Sequence, residues 1–206
     1  MTGSGRSVLA ALLGTALAAC AQFEPPGTAP QPADAQPNLS RGGAVVAARE
    51  DLSRHFIALT GPKRPHAPPF LDVAGTNFYC LRSFIDRRTG ATEHQLYVSD
   101  SYSGAERHWH AAGDRAGAPL HFVHISRDEI DCAAACSYAE EFAATIPESA
   151  LRASPKGLDV TFSAESGEAK TIHVSRDQIA AQLAAVDARR DRVLPAAALA
   201  APAAGQ

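Results

Sequence analysis

Between Asn77 and Val174 the chain is a succession of short apolar runs, each closed by turn chemistry. That succession commits it to antiparallel β structure. Asn77 to Ile85 alternates, with Phe78, Cys80 and Phe84 on one side and Tyr79, Leu81 and Ile85 on the other, as a strand covered on both faces does. Asp86-Arg87-Arg88-Thr89-Gly90 is a turn with glycine available for positive φ, and Thr92 to Ser99 is its return strand. Arg107 to Ala111 and Leu120 to Ile125 are further strands. Ser137 to Ile146 supports two periods: Phe142, Ala144 and Ile146 alternate, while Ile130, Ala134, Tyr138 and Phe142 keep a four-residue spacing. A strand from Tyr138 onward is the preferred reading, followed by one helical turn over Pro147–Leu151. Leu158–Ser163 and Ala169–Val174 form a hairpin through Glu165-Ser166-Gly167.

Helices flank this core. Ser175 and Gln178 make a capping box, Val174 and Ile179 are spaced as a hydrophobic staple, and Ile179, Leu183 and Val186 supply the buried stripe of a C-terminal helix. Arg189, Arg190 and Arg192 then complement the helix dipole. Gly43 to Leu59 reads as an N-terminal helix with Val45, Leu52, Phe56 and Leu59 on one face. The four prolines of Gly61–Pro69 require a loop. The expected fold is therefore α+β: an antiparallel sheet or β-sandwich of five to seven strands, with an N-terminal helix and a capped C-terminal helix. One echo runs through it. His124-Ile125-Ser126-Arg127-Asp128-Glu129-Ile130 is matched by His173-Val174-Ser175-Arg176-Asp177-Gln178-Ile179, so each copy is expected to be a strand end entering a capping box.

The first residues follow other rules. A charge at Arg6 precedes the apolar segment Val8–Leu17, which is too short to span a bilayer, and Leu17-Ala18-Ala19 leads to Cys20. This stretch resembles a bacterial lipoprotein signal peptide with its lipobox. The resemblance implies cleavage before Cys20, lipidation of that thiol and a stable membrane anchor built from several acyl chains. Ala21 stands where an aspartate marks inner-membrane retention in many such proteins, so the resemblance implies the periplasmic face of the outer membrane. The layout is a signal peptide over 1–19, a lipidated Pro/Ala-rich tether over 20–40, one globular domain over 41–194 and an Ala/Pro-rich disordered tail over 195–206. It is similar in style to uncharacterised proteobacterial envelope lipoproteins, from which no functional residue carries over.

Chemistry-bearing residues are few. A formal charge of −3 gives no basic footprint for nucleic acid. With Cys20 assigned to lipid, Cys80, Cys132 and Cys136 remain for an oxidising compartment, which leaves one pair and one thiol. Cys132 and Cys136 can bridge only if the segment folds back on itself, because four extended residues span roughly 13 Å and a disulfide needs about 7 Å or less between Cα atoms. A bridge from either to Cys80 is the alternative. The same spacing is similar to two copper motifs. In the dinuclear copper site of cytochrome oxidase subunit II, His and Met follow the cysteines, where this chain has Glu140 and Ala143; the copper chaperones of oxidase assembly carry the pair on a thioredoxin fold, whose βαβ succession is missing here.

His108 and His110 would share a strand face, and His121 could join them from a neighbouring strand as a copper or zinc site. Trp109 between them argues instead for one buried and one wet face. Neither a Gly-x-Ser-x-Gly elbow, nor His-Glu-x-x-His, nor a glycine-rich phosphate loop occurs. Glu140 and Glu141 fall on opposite strand faces, and Tyr102, Trp109 and Tyr138 are candidates to line a groove. The expectation is a non-enzymatic envelope binding module of unknown partner, with metal handling as the alternative and no cofactor required by the first.

Overall fold

A computed structural model describes residues 46–133 and 135–200, with side chains to Val193. The lipobox, the tether, the start of the expected N-terminal helix and residues 201–206 lie outside the described residues. All described residues belong to one compact unit, Asn38–Gln206.

Ten strands form a single antiparallel sheet, not five to seven: β1 (Ala47–Asp51), β2 (Phe56–Thr60), β3 (Arg64–Pro65), β4 (Phe78–Asp86), β5 (Thr92–Ser103), β6 (Trp109–Asp114), β7 (Pro119–Asp131), β8 (Ser137–Thr145), β9 (Leu158–Ala164) and β10 (Ala169–Val174). Helix α1 (Glu148–Arg152) follows β8, and α2 (Arg176–Ala200) closes the described chain. The strand order is β1-β2-β4-β5-β8-β7-β6-β9-β10, with β3 also on β4. The α+β class holds.

The three unexpected strands stand where a helix and a loop were expected. Ile57 and Leu59 are buried while Phe56, Ala58 and Thr60 are half-buried, a period of two that the helical reading of Phe56 and Leu59 concealed. His55, at φ 57°, turns β1 into β2. Beyond Pro62 the chain pairs again with β4, as Arg64 and Pro65 oppose Tyr79 and Phe78. A proline is tolerated there because this two-residue strand pairs only with β4, leaving its other side unpaired.

The long strand β7 joins the two halves of the sheet. Pro119 and Leu120 pair with β6, whereas His121 to Asp131 pair with β8 across two register shifts. The sheet thereby folds over itself. Leu81, Leu96, Val98, Phe142 and Ala144 from one half pack into one cluster with Trp109, Val160, Phe162, Ile172 and Val174 from the other, together with Ile179 and Leu183 of α2. Phe142 sits at the centre, 4.9 Å from Phe162 and 5.2 Å from Trp109 by ring centroids. A second cluster seats Ala185, Val186 and Val193 of α2 on Ile57, Leu59 and Ile85.

The capping box is present as expected: Ser175 N donates to Gln178 Oε1 at 3.0 Å, and Gln178 N donates to Ser175 Oγ at 3.3 Å. Val174 and Ile179 are both buried in the main core. Its echo is not a helix start, since Ser126 to Asp131 remain strand, paired with β8. At the other end α2 runs past Pro195 to Ala200, beyond the expected boundary, through an alanine-rich stretch of high helix propensity.

Candidate functional site

The most heavily charged interior lies where the two halves of the sheet part. Asp100 occupies an inward position of β5, two residues beyond Val98, and is 2% exposed. Its carboxylate accepts from three donors: Lys170 Nζ on β10, Arg107 Nη1 at 2.8 Å and the indole Nε1 of Trp109 at 3.1 Å. Burial alone would raise the Asp100 carboxyl; the Lys170 ammonium and then Arg107 overcome it and hold the group below the ordinary carboxylate range. Lys170 is moved the other way by the same confinement. Its desolvation outweighs the pull of Asp100, and the ammonium titrates below an ordinary lysine.

His66 completes the cluster from the loop after β3. Its Nε2 donates to the Ser99 carbonyl at 2.9 Å, so Nδ1 is free to accept from Lys170 at 3.2 Å. That tautomer is neutral, and burial together with the Lys170 charge pushes His66 below its usual value. The loop carrying it is pinned by Asn77, whose Oδ1 accepts from Ser101 N at 2.7 Å and whose Nδ2 donates to the Pro68 carbonyl at 2.8 Å. Beside this cluster Glu140 of β8, 1% exposed, accepts from the Tyr102 hydroxyl and from the backbone N–H groups of His108 and Trp109 at 3.2 Å each. Glu141 points to the other face and toward Tyr97, so the expected opposition of the two glutamates is present.

Above these groups opens a cleft of about 310 Å³, lined by Tyr102, Trp109, Asp100, Arg107, Glu168 and Lys170 among others. The Arg107 guanidinium lies 4.1 Å from the Tyr102 ring, and its Nε is 2.8 Å from Glu168 at the rim. Opposite charges therefore alternate over aromatic walls, at a scale suited to a small polar group or a peptide side chain. Two of the three aromatics expected to line a groove, Tyr102 and Trp109, do so; Tyr138 packs on Tyr102 at 5.8 Å.

A second polar chain looks like catalytic machinery and is sealed. Ser83 Oγ is 2.9 Å from His94 Nδ1, and His94 Nε2 is 3.4 Å from Glu148 Oε2. Yet Ser83 is fully buried, and its Oγ also accepts from Gln182 Nε2 of α2 at 2.9 Å. A hydroxyl shut beneath a helix meets no substrate, so this chain fastens α1 and α2 to the sheet. Burial pushes His94 below its usual value in spite of the Glu148 carboxylate.

His66 and His94 thus share a sign. Each binds a proton less readily folded than unfolded, so their contribution is complete above pH ~6.5 and lost as pH falls from there through the depressed folded values. Glu148, depressed to about 2 against burial by hydrogen bonds from Arg152, His94 and Arg190, adds its loss only below the ordinary glutamate range. Urea midpoints should fall between pH 7 and pH 5, and a His66→Gln/His94→Gln variant should show a flatter profile. An unchanged wild-type midpoint would contradict this account.

The expected metal ligands are not brought together. His108 meets Glu106 at 2.9 Å and also Arg127, His110 is exposed, and His121 faces Thr145 Oγ1 at 3.4 Å. Among the described residues no group of three or more His, Cys, Asp or Glu side chains is placed to hold a metal ion. Cys132 and Cys136 are bridged in the β7–β8 turn with Cα atoms 3.9 Å apart, and Cys80 is a buried free thiol. No described helix is long and apolar enough to cross a membrane.

Sequence reasoning missed Asp100, Lys170, His66, Arg107 and the buried role of Glu140. One signal was available. Extending the alternation Leu96, Val98 by one step puts a carboxylate in the core, which demands cationic partners. No protein-family model matches the chain, and no curated protein or solved structure shows significant similarity to it.

Proposed function

We propose that this is a lipid-anchored envelope protein, held through Cys20 at the periplasmic face of the outer membrane, and that it acts as a non-enzymatic binding module with the cleft over Asp100 as its recognition site. The observation that carries the reading is the Asp100 cluster itself. Its carboxylate is already occupied by three donors, and Lys170 is held between Asp100 and His66. Such groups shape and polarise a surface rather than exchange protons with a substrate. The Pro/Ala-rich segment after Cys20 supports the anchored placement, since a lipidated domain on a semi-extended tether can reach a partner away from the bilayer.

The anchor and the cleft are tested separately. A Cys20→Ala variant should lose acyl labelling and leave the membrane fraction; retention after alkaline washing would count against the anchor. A photo-crosslinking residue at Glu168, on the cleft rim, should give one defined adduct in whole cells. The same residue at Arg115, beyond the opposite end of β6 from Trp109, should not. A folded, membrane-associated protein with no adduct at Glu168 would sink the binding reading.

A further inference from the structure

Apart from the Asp100 cleft, three guanidinium groups converge on a small cavity, which shares no lining residue with that cleft. It measures about 130 Å³ and is lined by Arg87, Arg189, Arg192, Glu50, Ile57 and Val193. Arg87 follows the end of β4, with its backbone N–H fixed on the His55 carbonyl at 2.8 Å. Arg189 and Arg192 lie on α2, whose Val193 side chain is buried against β2. Rigid elements therefore set all three positions.

Their charge is poorly matched. Among the described residues Glu50 is the only carboxylate lining the cavity, and it lies 3.6 Å from Arg87 Nη1 and 3.7 Å from Arg189 Nη1. Both distances exceed hydrogen-bond length, so one half-exposed carboxylate is shared between two forks and fills neither. Arg192 has no ion pair among the described residues. Neighbouring arginines behave differently. Arg152 reaches Glu148 and Asp187 at 2.7 Å each, and Arg190 reaches Glu148 at 3.0 Å. On that side of α2 both forks make hydrogen-bonded ion pairs, with Arg190 Nε alone left without a partner among the described residues; at the cavity, three positive charges face one negative in a protein whose formal net charge is −3.

We propose that this cavity is a phosphate-binding site, taking the dianionic head of a phosphomonoester. A planar guanidinium donates two parallel N–H bonds to such an oxyanion, and the two unfilled forks and Arg192 can each do so. Ile57 and Val193 on the cavity wall limit competition from water and raise the strength of those contacts. The phosphate could come from a lipid headgroup or from a soluble ion, and the recognition chemistry is the same for both.

Arginine modification with phenylglyoxal tests this on the full-length protein in zwitterionic nanodiscs, with each site read by peptide mass. Inorganic phosphate should slow modification of Arg87, Arg189 and Arg192 by about tenfold at ten times its dissociation constant, because only the free site reacts. Arg115, 87% exposed, should be unaffected. Nanodiscs containing a phosphomonoester lipid supply the second arm. Protection by phosphate alone identifies a soluble-anion site, protection by the lipid alone a headgroup site, and either supports the proposal. An Arg189→Gln/Arg192→Gln variant with unchanged Trp109 fluorescence should lose protection at Arg87. Equal protection by chloride at matched ionic strength, protection that survives the double substitution, or none in either arm would overturn the site.

Discussion

Replacing Asp100 by alanine should destabilise the protein by about 3 kcal/mol, because it removes the hydrogen-bonded counter-charge of a partly buried ammonium. Lys170 would keep the His66 Nδ1, the weaker pull of the Glu168 carboxylate at the rim and the distant Trp109 ring, 5.6 Å from its Nζ. Arg107 would retain Glu168 and lose far less. The double variant Asp100→Leu/Lys170→Met removes both charges and should recover most of the loss. The pair is thus a device whose halves cannot be removed singly, and not a large net source of stability. Urea denaturation of the two single variants and the double variant measures the coupling; additive losses would mean that Asp100 and Lys170 act independently.

Phe142→Ala should cost a similar ~3–5 kcal/mol for a different reason, since removing a fully buried ring leaves a cavity that the surrounding rings cannot close. Phe142 is 0% exposed, and its ring faces Trp109, Phe122 and Phe162. Those rings belong to both halves of the folded sheet, so the cavity would open between the layers rather than beside one of them. Phe142→Leu should retain more than half of the lost stability, as much of the volume is kept. A thermal midpoint for Phe142→Ala within a degree or two of wild type would show that the layers repack.

The parts legible in the sequence were those decided locally. The α2 start was readable because capping and staple contacts lie within five residues of one another, and β10 falls on the very residues whose alternation marks it. Position 124 onward shows the limit. The same residue types that begin a helix after His173 continue as strand after His124, because β8 lies alongside and supplies hydrogen-bond partners from Phe142 to Ser137. Tertiary pairing there overrides a local signal worth about 1 kcal/mol. The site was hidden for a related reason. Asp100 and Lys170 come from two separate strands, Arg107 and His66 from two separate loops, and no spacing rule links them. Only the parity of Asp100 with Val98 carried a hint, and the strand was expected to end one residue too soon.

The order of the strands also has a consequence in time. β5 must wait for β8, and β6 for β9, before either half can close, and pairings between distant segments form slowly because a long loop is ordered before any contact rewards it. The turn between β7 and β8 needs no such delay, since its cysteines are four positions apart. In an oxidising compartment they can find each other while the chain is still open. The bridge would then be made before Cys80 is buried in β4, and the one remaining thiol among the described residues would meet no open partner from that turn as the sheet closes over it.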